Sequence, residues 1–120
     1  HWMVKSKEFK SLHALFDEIH QTIENAGDII AERMIQLGTP TEGTVQSIAK
    51  NTSFEPYDEK LTKGMDHVKA ILERIVKLAN DTRNNIVSLE GLHDPGTSDI
   101  LTQISLDLDK IEWMLEAHLS

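Results

Sequence analysis

His13 with Asp17, and Asp28 with Glu32, form two pairs of metal-ligating side chains, each pair four residues apart. In a helix that spacing stacks both members on one face, one turn above the other, so each pair is a two-point clamp for a cation. The pairs are offset by fifteen residues. At roughly 100° per residue this turns the face by only about 60°, so both clamps point to the same side. The same offset separates them by ~22 Å along the axis at about 1.5 Å per residue, too far for one ion to be held by both clamps of one helix. Two copies packed antiparallel about a two-fold axis near Thr22 and Ile23 would bring His13 and Asp17 of one copy opposite Asp28 and Glu32 of the other. An isologous dimer then holds two identical sites.

Imidazole and carboxylate ligands with room for water suit ferrous iron and tolerate zinc, manganese or cobalt, whereas the lack of sulfur ligands argues against copper(I) and iron–sulfur clusters. Pairs at this spacing are also what a solvated helix face carries as surface ion pairs, so spacing alone leaves both readings open. The other histidines offer less. His20 and His67 read as surface residues, His93 as part of a turn, and His118 as lying near a frayed end. Glu90 and His93 form a Glu-x-x-His pair, but Gly91 interrupts it at a helix end, so a di-metal site inside one bundle, which needs two such motifs, is not supported. Tyr57 and the Asn-x-Ser/Thr matches at Asn51 and Asn80 read as incidental.

Composition narrows the classes of partner. Twelve Lys and Arg against twenty Asp and Glu give a net charge of −8, so no uniformly basic surface is available for nucleic acid or anionic lipid. Cations fit such a surface better than phosphates do. The chain has no cysteine, which removes disulfide frameworks, thiolate zinc sites and cysteine nucleophiles, and agrees with a reducing compartment, the cytoplasm. No apolar run approaches the ~20 residues of a membrane span, and no secretory signal pattern is present. At 120 residues the chain reads as one domain, 1–120.

Three long helical patterns must position the clamps. From about Lys7 to Leu37, apolar residues recur three and four apart through Leu12, Phe16, Ile19, Ile23, Ala26 and Ile30, and Gly38-Thr39-Pro40 ends the run. Thr39 to Tyr57 reads as a long connection with one or two helical turns around Val45 to Ala49. A second pattern runs from about Glu59 to Leu89 and ends at Gly91. Thr97 or Ser98 is placed to cap a last helix through Leu119. The fold class is all-α, a bundle whose long crossover carries a short helix. His1-Trp2-Met3-Val4 reads as the last turn of a first helix whose earlier part precedes this chain.

His1-Trp2-Met3-Val4, Phe9, Leu12-His13-x-Leu15-Phe16-Asp17, Asp28-x-x-Ala31-Glu32-Arg33 and Trp113-Met114-Leu115 together resemble the Dps family (DNA-binding protein from starved cells), mini-ferritins of the ferritin-like superfamily. That family carries a His-Trp-Asn-Val end to its first helix, a His and an Asp early in the second, and an Asp-x-x-x-Glu further along. Met3 departs from the pattern, standing where the family usually has Asn. The resemblance implies a ferritin-like four-helix bundle, its first helix truncated here, and a metal site of five ligands. His1, His13 and Asp17 would come from one subunit, and Asp28 and Glu32 from its two-fold mate.

The same resemblance implies a ferroxidase activity, in which Fe(II) is oxidised, preferentially by hydrogen peroxide, and ferric oxide is stored in a hollow dodecamer built from two-fold dimers. DNA would be protected because peroxide is consumed without hydroxyl radical, and nucleoid association comes within reach. Trp2, beside a ligand, would supply an electron, with ordinary packing as the competing role. Asp94 and Asp99 would line acidic pores, with helix capping the competing role for an Asp so placed. Direct DNA binding does not follow, since neither end of the chain as given is a basic tail. Two rivals stay open: a catalytically silent helical cage or interaction module with a decayed site, and a site that holds zinc or manganese without ferroxidation.

Overall fold

A computed structural model describes residues 1–120. It contains three long helices and one short one: α1 (Phe9–Gln36), α2 (Val45–Asn51), α3 (Gly64–Leu89) and α4 (Pro95–Ala117). The all-α class and the crossover carrying a short helix are as the sequence pattern requires. Helix α3 packs along α4, and α4 along α1. The core lies among the three, built from Leu12, Leu15, Phe16 and Ile19 of α1, Val68, Ile75 and Ala79 of α3, and Ile104, Leu108, Ile111 and Leu115 of α4. Burial of each large aliphatic side chain here contributes about 1.5–3 kcal/mol.

Burial on α1 is lopsided. Its four buried residues all fall in the first half, while Ile23, Ala26 and Ile30 are only partly covered and Ile29, Met34 and Ile35 are exposed. The helix ends as its sequence dictates: Gly38 takes φ +84, Gly38 N–H donates to Ile35 O at 3.0 Å and Thr39 N–H to Met34 O at 2.9 Å. That pair of bonds satisfies carbonyls the last turn would otherwise leave free, and the left-handed residue between them is why glycine stands there. The short α2 begins at Thr44, whose hydroxyl accepts from Ser47 N–H at 3.1 Å.

Three boundaries differ from the sequence reading. Helix α3 starts at Gly64 rather than near Glu59. Asp58 Oδ1 accepts from Lys60 N–H at 2.9 Å, and Thr62 O accepts from Lys5 N–H at 2.9 Å, so local turn bonding and a long-range backbone pair take groups a helix would need. The cap of α4 is Asp94, not Thr97 or Ser98: its Oδ1 accepts from Thr97 N–H at 3.1 Å, with Pro95 at the first helical position. His1-Trp2-Met3-Val4 is not helical: Val4 turns into the core and Lys5 N–H donates to Thr62 O, which takes the segment off a helical path.

Candidate metal centre

His13 and Asp17 sit in the half of α1 that is anchored in the core. Leu12, Leu15 and Phe16 hold that stretch while the two ligating types remain partly exposed. The third member arrives from outside the helix. Val4 is buried and Lys5 is tied to Thr62, so the segment ahead of α1 folds back and lays His1 over His13. The two imidazoles stack with centroids 4.0 Å apart and 24° between their planes.

Two reciprocal bonds fix both rings. His1 Nδ1 lies 3.3 Å from His13 O, and His13 Nδ1 lies 3.1 Å from His1 O. A carbonyl oxygen only accepts, so Nδ1 carries the proton in each ring and Nε2 keeps its lone pair, the tautomer a ligating imidazole needs. His1 Nδ1 is also 3.9 Å from Asp17 Oδ1, and Asp17 Oδ2 accepts from Gln21 Nε2 at 3.0 Å. Gln21 is a residue that sequence reasoning passed over; its signal was an amide four residues after a carboxylate on one helix face.

Asp28 and Glu32 do not join this group. Both are exposed on the second half of α1, and neither makes a hydrogen bond or ion pair within the chain. No three ligating side chains of one chain converge on a cation position. The donor chemistry nonetheless fits ferrous iron as a substrate: two imidazole nitrogens with free lone pairs, a carboxylate held beside them, and two further carboxylates without partners on the same helix.

Of the remaining candidates, Trp2 is 92% exposed, so the packing role is not realised within the chain. Asp94 is already engaged. It accepts from Thr97 N–H and Oγ1–H, and its Oδ1 pairs with Arg33 Nη2 at 2.9 Å. These bonds, those from Thr97 foremost, hold its carboxyl below the usual carboxylate range. Asp99 is exposed and borders a groove between α1 and α4 with Thr22, Asn25 and Ala26. His67 is not a surface residue and Tyr57 is not incidental: His67 is 3% exposed, and its Nδ1 lies 2.7 Å from Tyr57 Oη. Of the other histidines, His20 pairs with Glu24 at 3.6 Å, and His118 Nδ1 donates to Met114 O at 2.7 Å at the end of α4.

A bundle of this topology with ligating residues on one long helix is a ferritin-like domain, and the profile of that family matches residues 1–120. The chain belongs to the Dps branch of it, the mini-ferritins. It is 40% identical over 118 residues to the "DNA protection during starvation protein" of Agrobacterium fabrum, covering 98% of this chain and 73% of the relative. It is 29% identical over 119 residues to the protein of the same name from Mycolicibacterium smegmatis, spanning 99% of this chain and 64% of that one. Among solved structures, antigen TpF1 from Treponema pallidum superimposes with a TM-score of 0.95 at 28% identity, over 100% of this chain and 77% of the other. Mycobacterium smegmatis Dps does so with a TM-score of 0.94 at 29% identity, over 100% and 73%.

Proposed function

We propose that this protein stores and detoxifies iron, oxidising Fe(II) at sites shared between two chains and holding the ferric oxide in a hollow cage. The observation that carries the reading is the stack of His1 on His13 beside Asp17. His1, His13 and Asp17 are gathered with both Nε2 atoms free, while Asp28 and Glu32 lie on the same helix without partners. A two-fold mate running antiparallel along α1 supplies the missing half. The family name, DNA protection during starvation, supports the physiological role assigned to it.

The ligand set divides the work. Carboxylates of Asp17, Asp28 and Glu32 favour the higher charge of the ferric product, and the two neutral imidazoles leave room for an oxidant, for which hydrogen peroxide is proposed. Consumption of peroxide in this way protects DNA chemically, without a basic DNA-binding surface. Asp99 is proposed to draw cations toward an entry pore, while Asp94 positions the start of α4. Assembly into a cage of about twelve copies by two-fold dimers is supported by apolar surface that the single chain leaves uncovered, such as Val45 at 78% and Ile48 at 61% exposed on α2. No helix is long and apolar enough to cross a membrane.

The test is anaerobic ferrous loading followed by a hydrogen peroxide pulse, with ferric absorbance and particle mass recorded together. Fast oxidation in a particle of many copies is the expected result. A monomer, or a particle that leaves ferrous iron unoxidised, overturns the reading.

A further inference from the structure

The two oxygens of Asp17 have separate partners. Oδ1 lies on the imidazole side, 3.9 Å from His1 Nδ1, and Oδ2 accepts from Gln21 Nε2 at 3.0 Å. A carboxylate only accepts, so the amide turns its NH2 toward it. Asp17 keeps 46% of its side chain exposed and Gln21 is exposed too, so the bond is no brace for the core. A surface pair one helical turn apart adds little to folding. Its effect falls on the carboxylate itself. The terminal torsion of an aspartate is soft, and without a partner the group swings between binding an ion through one oxygen and through both.

Local sequence explains why the amide is free to make this bond. His13, Asp17 and Gln21 follow one another at intervals of four, so they form one line along α1 with Gln21 a turn beyond Asp17. The competing carboxylates are occupied. Glu18 and Glu24, each three residues from Gln21, pair with Lys110 at 4.0 Å and with His20 at 3.6 Å.

Charge sets Asp17 apart. The ion pairs that Lys and Arg make with aspartates fall elsewhere: Arg33 on Asp94, Lys77 on Asp81 and Arg83 on Asp109. Asp17 receives a neutral donor instead, so one oxygen is satisfied while the negative charge stays available to a cation. The same four-residue pairing recurs on α4, where Gln103 Nε2 donates to Asp107 Oδ1 at 3.3 Å. What differs is the oxygen left over. At Asp17 it stands by the His1 ring, itself stacked on His13, whereas Asp107 borders a groove lined by no histidine.

We propose, resting on the iron-oxidising reading above, that Gln21 is the positioning residue of the metal centre: it holds Asp17 Oδ2, so that Asp17 gives a cation Oδ1 alone and with its charge intact. One oxygen fills one coordination position where two would fill two. The position spared is open to water or to an oxidant. Hydrogen bonds to a ligating carboxylate typically change metal affinity or activity by about 10–100-fold.

The test is cobalt(II) titration of the assembled protein without oxidant, followed by visible ligand-field absorption, with particle mass and thermal melting recorded for each variant. Gln21→Met is close to the same length, cannot donate and has a similar helix propensity. It should bind cobalt about tenfold more weakly than wild type, with an altered band pattern and an unchanged melt. Gln103→Met, which breaks the matching pair on α4, should bind as wild type does. Gln21→Lys keeps a donor and adds a charge, so its binding should also weaken and should recover toward wild type in salt. Wild-type affinity in Gln21→Met or, at low salt, in Gln21→Lys overturns the positioning role alone, as does equal weakening by Gln103→Met. Absence of cobalt binding in wild type removes the metal-site reading and this one with it. Where a variant fails to assemble, a crystal structure of the cobalt-loaded unaltered chain decides. Oδ1 alone on the metal, with Oδ2 still on Gln21, is expected; both oxygens on the metal, or Gln21 turned away, overturns the role.

Discussion

Arg33, in the last turn of α1, donates from Nη2 to Oδ1 of Asp94, 2.9 Å away, and the same carboxylate oxygen accepts from Thr97 N–H at 3.1 Å. One side chain thus caps α4 and ties the outer end of α1 to it, in the half of α1 that has no fully buried residue. Both partners are about three-quarters covered, with 24% and 22% of their side-chain surfaces exposed.

Asp94 sets a pH dependence. Its folded carboxyl is held below the usual range by Thr97 and then by Arg33, so the charge contributes stability that is complete above the unfolded value and is lost as pH falls through the folded one. Asp94→Asn keeps a capping side chain and removes the charge. Its melting temperature should lie below wild type at neutral pH, and the gap should begin to narrow below about pH 4, the ordinary carboxylate value, and close only as pH falls through the lower value of the folded carboxyl. Thermal melts across pH check this; a gap that stays constant in acid would show that the charge is not what stabilises the wild type.

Loss of both outer carboxylates should abolish fast iron oxidation and spare the fold. Asp28 and Glu32 are exposed and unbonded within the chain, so Asp28→Ala with Glu32→Ala should change folding stability by no more than about 0.5 kcal/mol per site. The initial rate of ferric formation should drop about 100-fold or more, at least matching what removal of supporting outer-shell groups does to metal sites. Undiminished oxidation in this variant would refute the ligand assignment.

Mixing tests whether the site is shared. Chains carrying His13→Ala and Asp17→Ala are combined with chains carrying Asp28→Ala and Glu32→Ala. In each mixed dimer one site collects all the substitutions and the other collects none. Random pairing of two individually inactive chains should restore about a quarter of wild-type sites, because half the dimers are mixed and each holds one intact site of two. Stopped-flow absorbance after unfolding and co-refolding reads the recovery. No recovery from a properly assembled mixture would place all ligands within one chain.

Gly64 is predicted to resist even a methyl group. A Cβ there would stand 2.5 Å from Leu12 Cδ1 and 2.7 Å from Ser6 Oγ, and Leu12 is fully buried next to His13. Overpacking of this kind costs about 1–3 kcal/mol. Gly64→Ala should therefore lower the midpoint of urea unfolding and, by displacing Leu12, slow ferric formation as well. An unchanged midpoint would mean that Leu12 and Ser6 have room to yield.

The long helices and the stacking of the two side-chain pairs were readable from the residues themselves, because both depend on spacing along one helix. Apolar residues at helical period give α1, α3 and α4, and four-residue spacing puts His13 over Asp17 and Asp28 over Glu32 whatever surrounds them. The end of α1 at Gly38 was legible for the same local reason. The unreadable parts all involve partners far apart in sequence. Arg33 reaches Asp94 across 61 residues, His1 stacks on His13 across twelve, and α3 starts late because Lys5 bonds to Thr62.

His67 shows the division most sharply. On sequence it is one polar residue in a helix rich in charge, and the period places it near the edge of the apolar stripe, where exposure is the ordinary outcome. Its burial is decided by the crossover returning Tyr57 onto it and by Phe16 of another helix closing the far side. The residues alone gave the helices, the pairing of His13 with Asp17 and of Asp28 with Glu32, and the distance between the two pairs along α1, since these follow from rise and turn per residue. Only the tertiary structure decided which imidazoles lose their solvent and what each ring nitrogen bonds to, because desolvation depends on the packing of distant segments and is not a property of any local pattern.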